Sequence, residues 1–310
     1  MRISDVDVAP GEVRKIEVNL ARLPSHSDID ISVTVARSTE PGPVLLLSGG
    51  LHGDEINGIE IVRRIIEKNL HVPKRGCVIC IPIINIYGFV QFSRYVPDGK
   101  DVNRSFPGNK AGSLAARVAN FMMKEIIPNI DYGIDFHTGG ADRTNYPQMR
   151  GVMSDPVNSK IAAAFRAPFT VHSKFRAKSF RHAAAKLGKR ILVYEGGESG
   201  RFDEFAIKEG LEGTLRVMHY LDMTDTLNQA KHNSCHITSS KWVRPNVSGL
   251  FQSGVVCGQY VSRKQVVGHI TDPFGDYRES IKSPTNGYVI GLNNNPIVHQ
   301  GDAIMHIGKT

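Results

Sequence analysis

A chain of 310 residues with 41% hydrophobic and 22% charged positions has the balance of a soluble globular protein, long enough for one large core or two unequal domains. No apolar run approaches the roughly 20 residues that a bilayer-spanning helix needs, and the first residues lack an apolar signal core, so the expectation is a cytoplasmic protein without a membrane segment. Four cysteines are too few for a disulfide framework, and the net charge of +8 is scattered rather than clustered with aromatics, which suits an anionic small substrate and gives no nucleic-acid signature.

In chain order, residues 12–36 read as two strands, the second alternating through Ile29, Ile31, Val33 and Val35. From 44 to 222, strand-like runs at 44–48, 78–84, 132–136 and 191–194 alternate with helix-like segments at 58–69, 113–127, 157–166, 178–187 and 203–222. That alternation predicts an α/β sheet with helices on both faces, in which ligands gather beyond the carboxyl ends of the strands. Cys77 and Cys80 lie in one of these strands, where positions i and i+3 face opposite sides, so they read as buried thiols rather than a redox or metal pair.

The polar stretch 223–241 reads as a connecting loop, with His232, Cys235 and His236 solvated. From Trp242 the texture changes to short strands broken by glycine, proline and asparagine, a small all-β module. Pro245 and Gly249 recur as Pro284 and Gly287, and Val261 with His269-Ile270 recurs as Val298 with His306-Ile307. Two such halves resemble a barrel-sandwich fold of the biotinyl/lipoyl type. Asp276 stands where that fold's carrier lysine would be, so a swinging arm is not expected, and His269 and His306 read as structural. The expected division is a catalytic domain over 1–230 and a carboxyl-terminal β domain over 231–310.

Chemistry concentrates at the ends of the apolar strands. His52 and Glu55 follow the run at 44–48, three residues apart, so both side chains can face one ion. His137 ends the strand Tyr132-Gly-Ile-Asp-Phe-His and precedes two glycines beyond Thr138, with Asp135 on the same strand face to orient the ring. His52, Glu55 and His137 together make the two-histidine, one-carboxylate set of a catalytic zinc site. Glu195 ends the apolar strand Ile191-Leu-Val-Tyr, where an acid that is not a ligand can accept the water proton and pass it to a leaving nitrogen. In the long loop 93–108, Arg94 is a candidate for the oxyanion and Asn103 with Arg104 for a substrate carboxylate, with Asp98 and Asp101 available to orient them.

The pieces His-Gly-Asp-Glu at 52–55, Arg94-Tyr, Asp-Val-Asn-Arg at 101–104, Asp-Phe-His at 135–137 and Val-Tyr-Glu-Gly at 193–196 occur in an order that resembles the succinylglutamate desuccinylase/aspartoacylase family, a branch of the zinc carboxypeptidase superfamily. The resemblance runs over roughly 40–222, and the β module also looks like that family's carboxyl-terminal domain. It implies a zinc-carboxypeptidase-like mixed sheet and one zinc ion per chain on His52, Glu55 and His137. It implies Glu195 as general base and then acid, Arg94 on the oxyanion, and Asn103 with Arg104 on a substrate carboxylate. The expected activity is hydrolysis of the amide of a small N-acyl amino acid, and a homo-oligomer is compatible with it. A peptide-cutting metallocarboxypeptidase and a non-catalytic binding protein with a remnant metal site are the alternatives.

Overall fold

The computed structural model describes residues 1–230 and 232–310. The chain opens with a short ladder of β1 (Arg2–Ile3) and β2 (Val6–Asp7), then a long hairpin of β3 (Val13–Arg22) and β4 (Asp28–Arg37). Next come β5 (Val44–Ser48), α1 (Ile56–Glu67), β6 (Cys77–Ile81) and α2 (Ile86–Val90). A connection with a 3-10 turn at Val102–Arg104 leads to α3 (Leu114–Phe121), prolonged by a π turn over Met122–Ile126. Then follow β7 (Tyr132–Gly139), β8 (Arg143–Gly151), α4 (Pro156–Phe165), β9 (Phe169–His172), α5 (Phe180–Lys186), β10 (Arg190–Glu198) and α6 (Glu204–Tyr220). The remaining strands are β11 (Cys235–Ile237), β12 (Ser239–Val243), β13 (Gly249–Ser253), β14 (Tyr260–Val261), β15 (Val266–Thr271), β16 (Arg278–Lys282), β17 (Gly287–Asn293), β18 (Ile297–Val298) and β19 (Met305–Lys309).

Among the described residues, thirteen strands form one mixed sheet in the order β12-β19-β17-β8-β10-β7-β5-β6-β4-β3, with β9 and β11 attached through β8, and β14 on β17. Its centre, β6-β5-β7-β10, is parallel and carries unbroken apolar runs because both faces are covered. Alternate residues feed opposite cores. Leu45, Leu47, Val78 and Cys80 pack with Ile61, Phe165 and Val217 of α1, α4 and α6, while Leu46, Cys77 and Ile79 pack with Val118 and Phe180 of α3 and α5. Cys77 and Cys80 thus lie on opposite faces, as the strand period requires.

Helix α1 buries Asn57, Gly58, Ile61, Val62 and Ile65, a stripe of helical spacing that faces the sheet. Gly58 is needed for contact: a Cβ there would stand 2.5 Å from the Phe136 carbonyl oxygen of β7. The helix start therefore presses against the strand that carries His137.

Two expectations need correction. The stretch 223–241 is not loop throughout, because Cys235–Ile237 pairs with β9 and Ser239–Val243 with β19. Arg143–Gly151, read as no element, is a strand between β10 and β17; its sequence Arg-Thr-Asn-Tyr-Pro-Gln-Met-Arg-Gly has no apolar alternation, so only its partners define it. The strands after 235 divide between the large sheet and a four-stranded sheet, β16-β15-β13-β18, with Phe251, Val261, Ile270, Val289 and Ile307 packed between them. Gly249 and Gly287, the matched glycines of the internal repeat, open β13 and β17.

Candidate active site

Each group singled out from the sequence lies at the carboxyl end of the parallel strands or in the loop that follows. β5 ends at Ser48 and its turn presents His52 and Glu55 before α1 begins, while β7 carries His137 near its end. All three are buried, at 3%, 2% and 5% exposure, and offer ligating atoms within 4.8 Å of one another. His52 Nδ1 lies 2.7 Å from Glu55 Oε1, and His137 Nδ1 lies 2.7 Å from Glu55 Oε2. Asp135 Oδ2 is 2.7 Å from the other nitrogen of His137 and is itself held by the Ser48 hydroxyl, which donates to Oδ1 at 2.8 Å.

One imidazole thus stands between two buried carboxylates. Burial works against charge on the His137 ring, but Asp135 and Glu55 outweigh it and hold the pKa well above the usual histidine range. For Glu55, burial is outweighed by His52 and His137, and its carboxyl is held well below the ordinary value. His52 Nδ1 faces two groups, Glu55 Oε1 at 2.7 Å and Arg94 Nη1 at 3.2 Å, and the ring's other nitrogen is Nε2. That Nε2 is buried without a hydrogen-bond partner among the described residues, 3.4 Å from Asp101 Oδ1. Carboxylates of Glu55, Asp135 and Asp101 gathered around two imidazoles call for positive charge among them. A divalent cation fits the two-nitrogen, one-carboxylate set, and Asp135 is the acceptor that a ligating histidine ordinarily has on its far nitrogen.

Arg94 is fixed by Asp101, whose Oδ2 accepts from Nε and Nη2 at 3.2 and 3.0 Å, and its Nη1 reaches Glu55 Oε1 at 3.3 Å. Asp98 pairs with Lys100 instead, at 2.7 Å. The same loop supplies Asn103 and Arg104. Asn103 Oδ1 accepts from the Phe180 amide at 2.9 Å at the start of α5, which leaves its NH2 free to donate.

Glu195 is the register partner of His137 across the parallel β10–β7 pair. Its Oε2 accepts from the Asn145 amide and, at 3.2 Å, from Arg150 Nη1. Asn145 pairs with Gly197 and Gly291, Gly291 with His306, and His306 with Trp242. A transverse row from Asn145 through Gly291 and His306 to Trp242 thus crosses to the carboxyl-terminal strands, and the Asn145 side chain joins that row to Glu195 beside His137.

These groups line a cavity of about 430 Å³ together with Arg176, Arg181, Trp242 and His306. Sequence reading did not single out Asn145, Arg150, Arg176, Arg181 or Trp242 for this role, and read His306 as structural. Arg143, Asn145 and Arg150 belong to the unrecognised strand, and Trp242 and His306 come from the distant module. Trp242 stacks on His306 with centroids 4.3 Å apart, and the Arg143 guanidinium lies 5.7 Å from the Trp242 ring centre. Arg94 and Arg150 have carboxylate partners, whereas Arg181 donates only to oxygens of Ser173 and Lys174, and Arg104 only to the Asn103 carbonyl, among the described residues. Burial pushes Arg181 down to about 10, with Arg150 and Arg176 adding to the effect and Glu195 opposing it. A buried cation facing other cations is expensive unless an anion arrives.

Comparison with known proteins gives a consistent set of likenesses. The model described as "Succinylglutamate desuccinylase/Aspartoacylase catalytic domain" matches residues 41–221. The N-alpha-acetyl-L-2,4-diaminobutyric acid deacetylase of Halomonas elongata is 29% identical over 292 residues, 84% of this chain and 81% of that protein. A succinylglutamate desuccinylase/aspartoacylase from Rhodobacter sphaeroides superposes with a TM-score of 0.88 at 25% identity, covering 100% of this chain and 99% of the other. The product-bound ectoine utilization protein EutE (DoeB) of Ruegeria pomeroyi has the same fold, with a TM-score of 0.88 at 22% identity over 98% and 97% of the two chains.

Proposed function

Because the chain belongs to the succinylglutamate desuccinylase/aspartoacylase family, whose catalytic-domain model covers residues 41–221, we propose that it is a zinc-dependent hydrolase that releases the acyl group of a small N-acylated, carboxylate-bearing amine. The observation that carries this reading is the convergence of His52, Glu55 and His137 on one point, with Glu195 in register beside His137. Two imidazoles and a carboxylate are the donor set of catalytic zinc, and His52, Glu55 and His137 would hold it. When bound there, such an ion supplies Lewis-acid polarisation of a carbonyl and makes water more acidic.

The remaining work falls to the chain's own groups. Glu195 accepts a proton from the attacking water and returns it to the leaving nitrogen. Arg94, locked by Asp101, presents Nη1 to the charge that develops on the carbonyl oxygen. The Asn103 NH2 and Arg104, with Arg176 and Arg181 close by, take the substrate's carboxylate. The same proposal gives residues 231–310, as a unit of their own, the far wall of the pocket through Trp242 and His306. A cavity of about 430 Å³ closed on that side suits a small amide better than an extended peptide, which argues against the carboxypeptidase reading.

The test is a panel of N-acetyl, N-succinyl and N-formyl amino acids offered to the zinc-loaded protein, with Glu195→Gln beside the wild type. The expected result is turnover that Glu195→Gln reduces by at least roughly a hundredfold while metal stoichiometry stays intact. Undiminished turnover by the variant would remove Glu195 from the chemistry. Absence of turnover by the wild type across the panel would favour a binding protein.

A further inference from the structure

Strands β8 and β10 slip past one another beside Glu195. Arg150 is the register partner of Val193 and Gln148 that of Glu195, yet Asn145 is the partner of Gly197, one residue out of step. In a regular ladder an odd and an even residue of β8 face opposite sides of the sheet. The slip brings both Asn145 and Arg150 onto the same carboxylate oxygen, Oε2 of Glu195.

Asn145 is in turn fixed from its other side. It is 8% exposed and pairs with Gly291 of β17. A Cβ built at 291 would stand 2.8 Å from Asn145 Oδ1 and 3.4 Å from the His306 Cβ. Gly291 lies within a strand and has no left-handed φ, so its backbone would accept any residue. What the position requires is space for the Asn145 amide. With the oxygen of that amide against Gly291, its NH2 is directed at Glu195.

We propose that Asn145, Arg150 and Gly291 are positioning residues for Glu195, so that the carboxyl-terminal strand β17 sets the aim of the general base as well as closing the pocket. This rests on the reading of Glu195 as that base. Arg150 and Asn145 fix the carboxylate from two directions, and Gly291 acts through Asn145 alone. A 1 Å error in aim is enough to slow proton transfer without altering how substrate docks.

The experiment measures kcat and KM for the panel compound turned over fastest, on Asn145→Ala, Gly291→Ala, their double variant, Arg150→Lys and Arg150→Met, with thermal midpoints to confirm folding and Glu195→Gln as reference. Asn145→Ala and Gly291→Ala are expected to lose roughly ten- to a hundredfold in kcat with KM within about twofold. Gly291→Ala should add nothing in the Asn145→Ala background, since its effect passes through that side chain. Arg150→Lys should retain more kcat than Arg150→Met. A Gly291→Ala loss of equal size in both backgrounds overturns the buttress, as does wild-type kcat in Asn145→Ala. A rise in KM alone for Arg150→Met makes Arg150 a substrate contact and overturns its part. If Glu195→Gln itself stays fully active, the base assignment falls and takes this proposal with it; if only Glu195→Gln is impaired, the positioning proposal alone falls.

Discussion

Burial, reinforced by Arg150 nearby, pushes the His306 imidazole down to about 3 from its ordinary 6.5. The ring is 5% exposed, stacks on Trp242, and one nitrogen lies 2.8 Å from the Ser240 hydroxyl. The unfolded chain takes up that proton near 6.5 whereas the folded one waits until about 3. Stability is therefore lost as pH falls through this window, and the group contributes no pH dependence above it. His306→Gln, which cannot be protonated, should flatten the fall of urea midpoints between pH 6.5 and 4 relative to wild type. Parallel curves for the two proteins would show that this ring titrates normally. At the same scale, His52, Glu55, His137 and Glu195 could be read from sequence because each follows or ends an apolar run that has to be a buried strand. Arg94, Asn103 and Arg104 stood out by their motifs. Arg176 and Arg181 gave no comparable signal, since an arginine in a polar stretch looks the same whether it faces solvent or a cavity.

At the scale of elements, the legible parts were those whose own sequence dictates them. The hairpin β3–β4 alternates with a period of two, the parallel strands are short unbroken apolar runs, and the helices α1 to α6 other than short α2 carry a period of 3.6 that the packing then uses. Strand β8 is different in kind, because its place comes from hydrogen bonds to β10, β9 and β17 rather than from hydrophobicity. Its polar residues are what the site recruits, so the feature that hid the strand is the one that makes it useful. Helix α1 shows the opposite economy: its sequence announces it, and Gly58 fixes how close it sits. Gly58→Ala would force the Phe136 carbonyl away from α1, at a cost of roughly 1–3 kcal/mol in stability. Because Glu55 precedes α1 and His137 follows Phe136, a metal held by His52, Glu55 and His137 as proposed should bind the variant more weakly, as read by competition with a coloured chelator. Unchanged midpoint and unchanged affinity would mean that the helix start can shift without cost.

At the scale of the molecule, β12, β14, β17 and β19 are part of the same sheet that carries the proposed metal ligands. The sequence suggested the β module through its change of texture and internal repeat, but not this continuity, because strand pairing between distant segments leaves no periodic trace. A chain ending at Met223 would leave Arg143–Asn145 of β8 without β17 and expose Phe169 and Val171, which pack against Ile237 and Ile290. An unpaired edge beside bare apolar surface invites association. Such a truncation is expected to elute as aggregates in size-exclusion chromatography, and a monodisperse, active truncation would refute the dependence.

The row from Asn145 through Gly291 and His306 to Trp242, tied by the Asn145 side chain to Glu195, also limits how the protein can be re-engineered or diversified. Swapping the tail of a relative onto this body would exchange residue 291 without its neighbour at 145, and the graft would have to match at that seam before any change in selectivity could be read. Recombination that respects the boundary between modules along the chain would still cut through the chemistry.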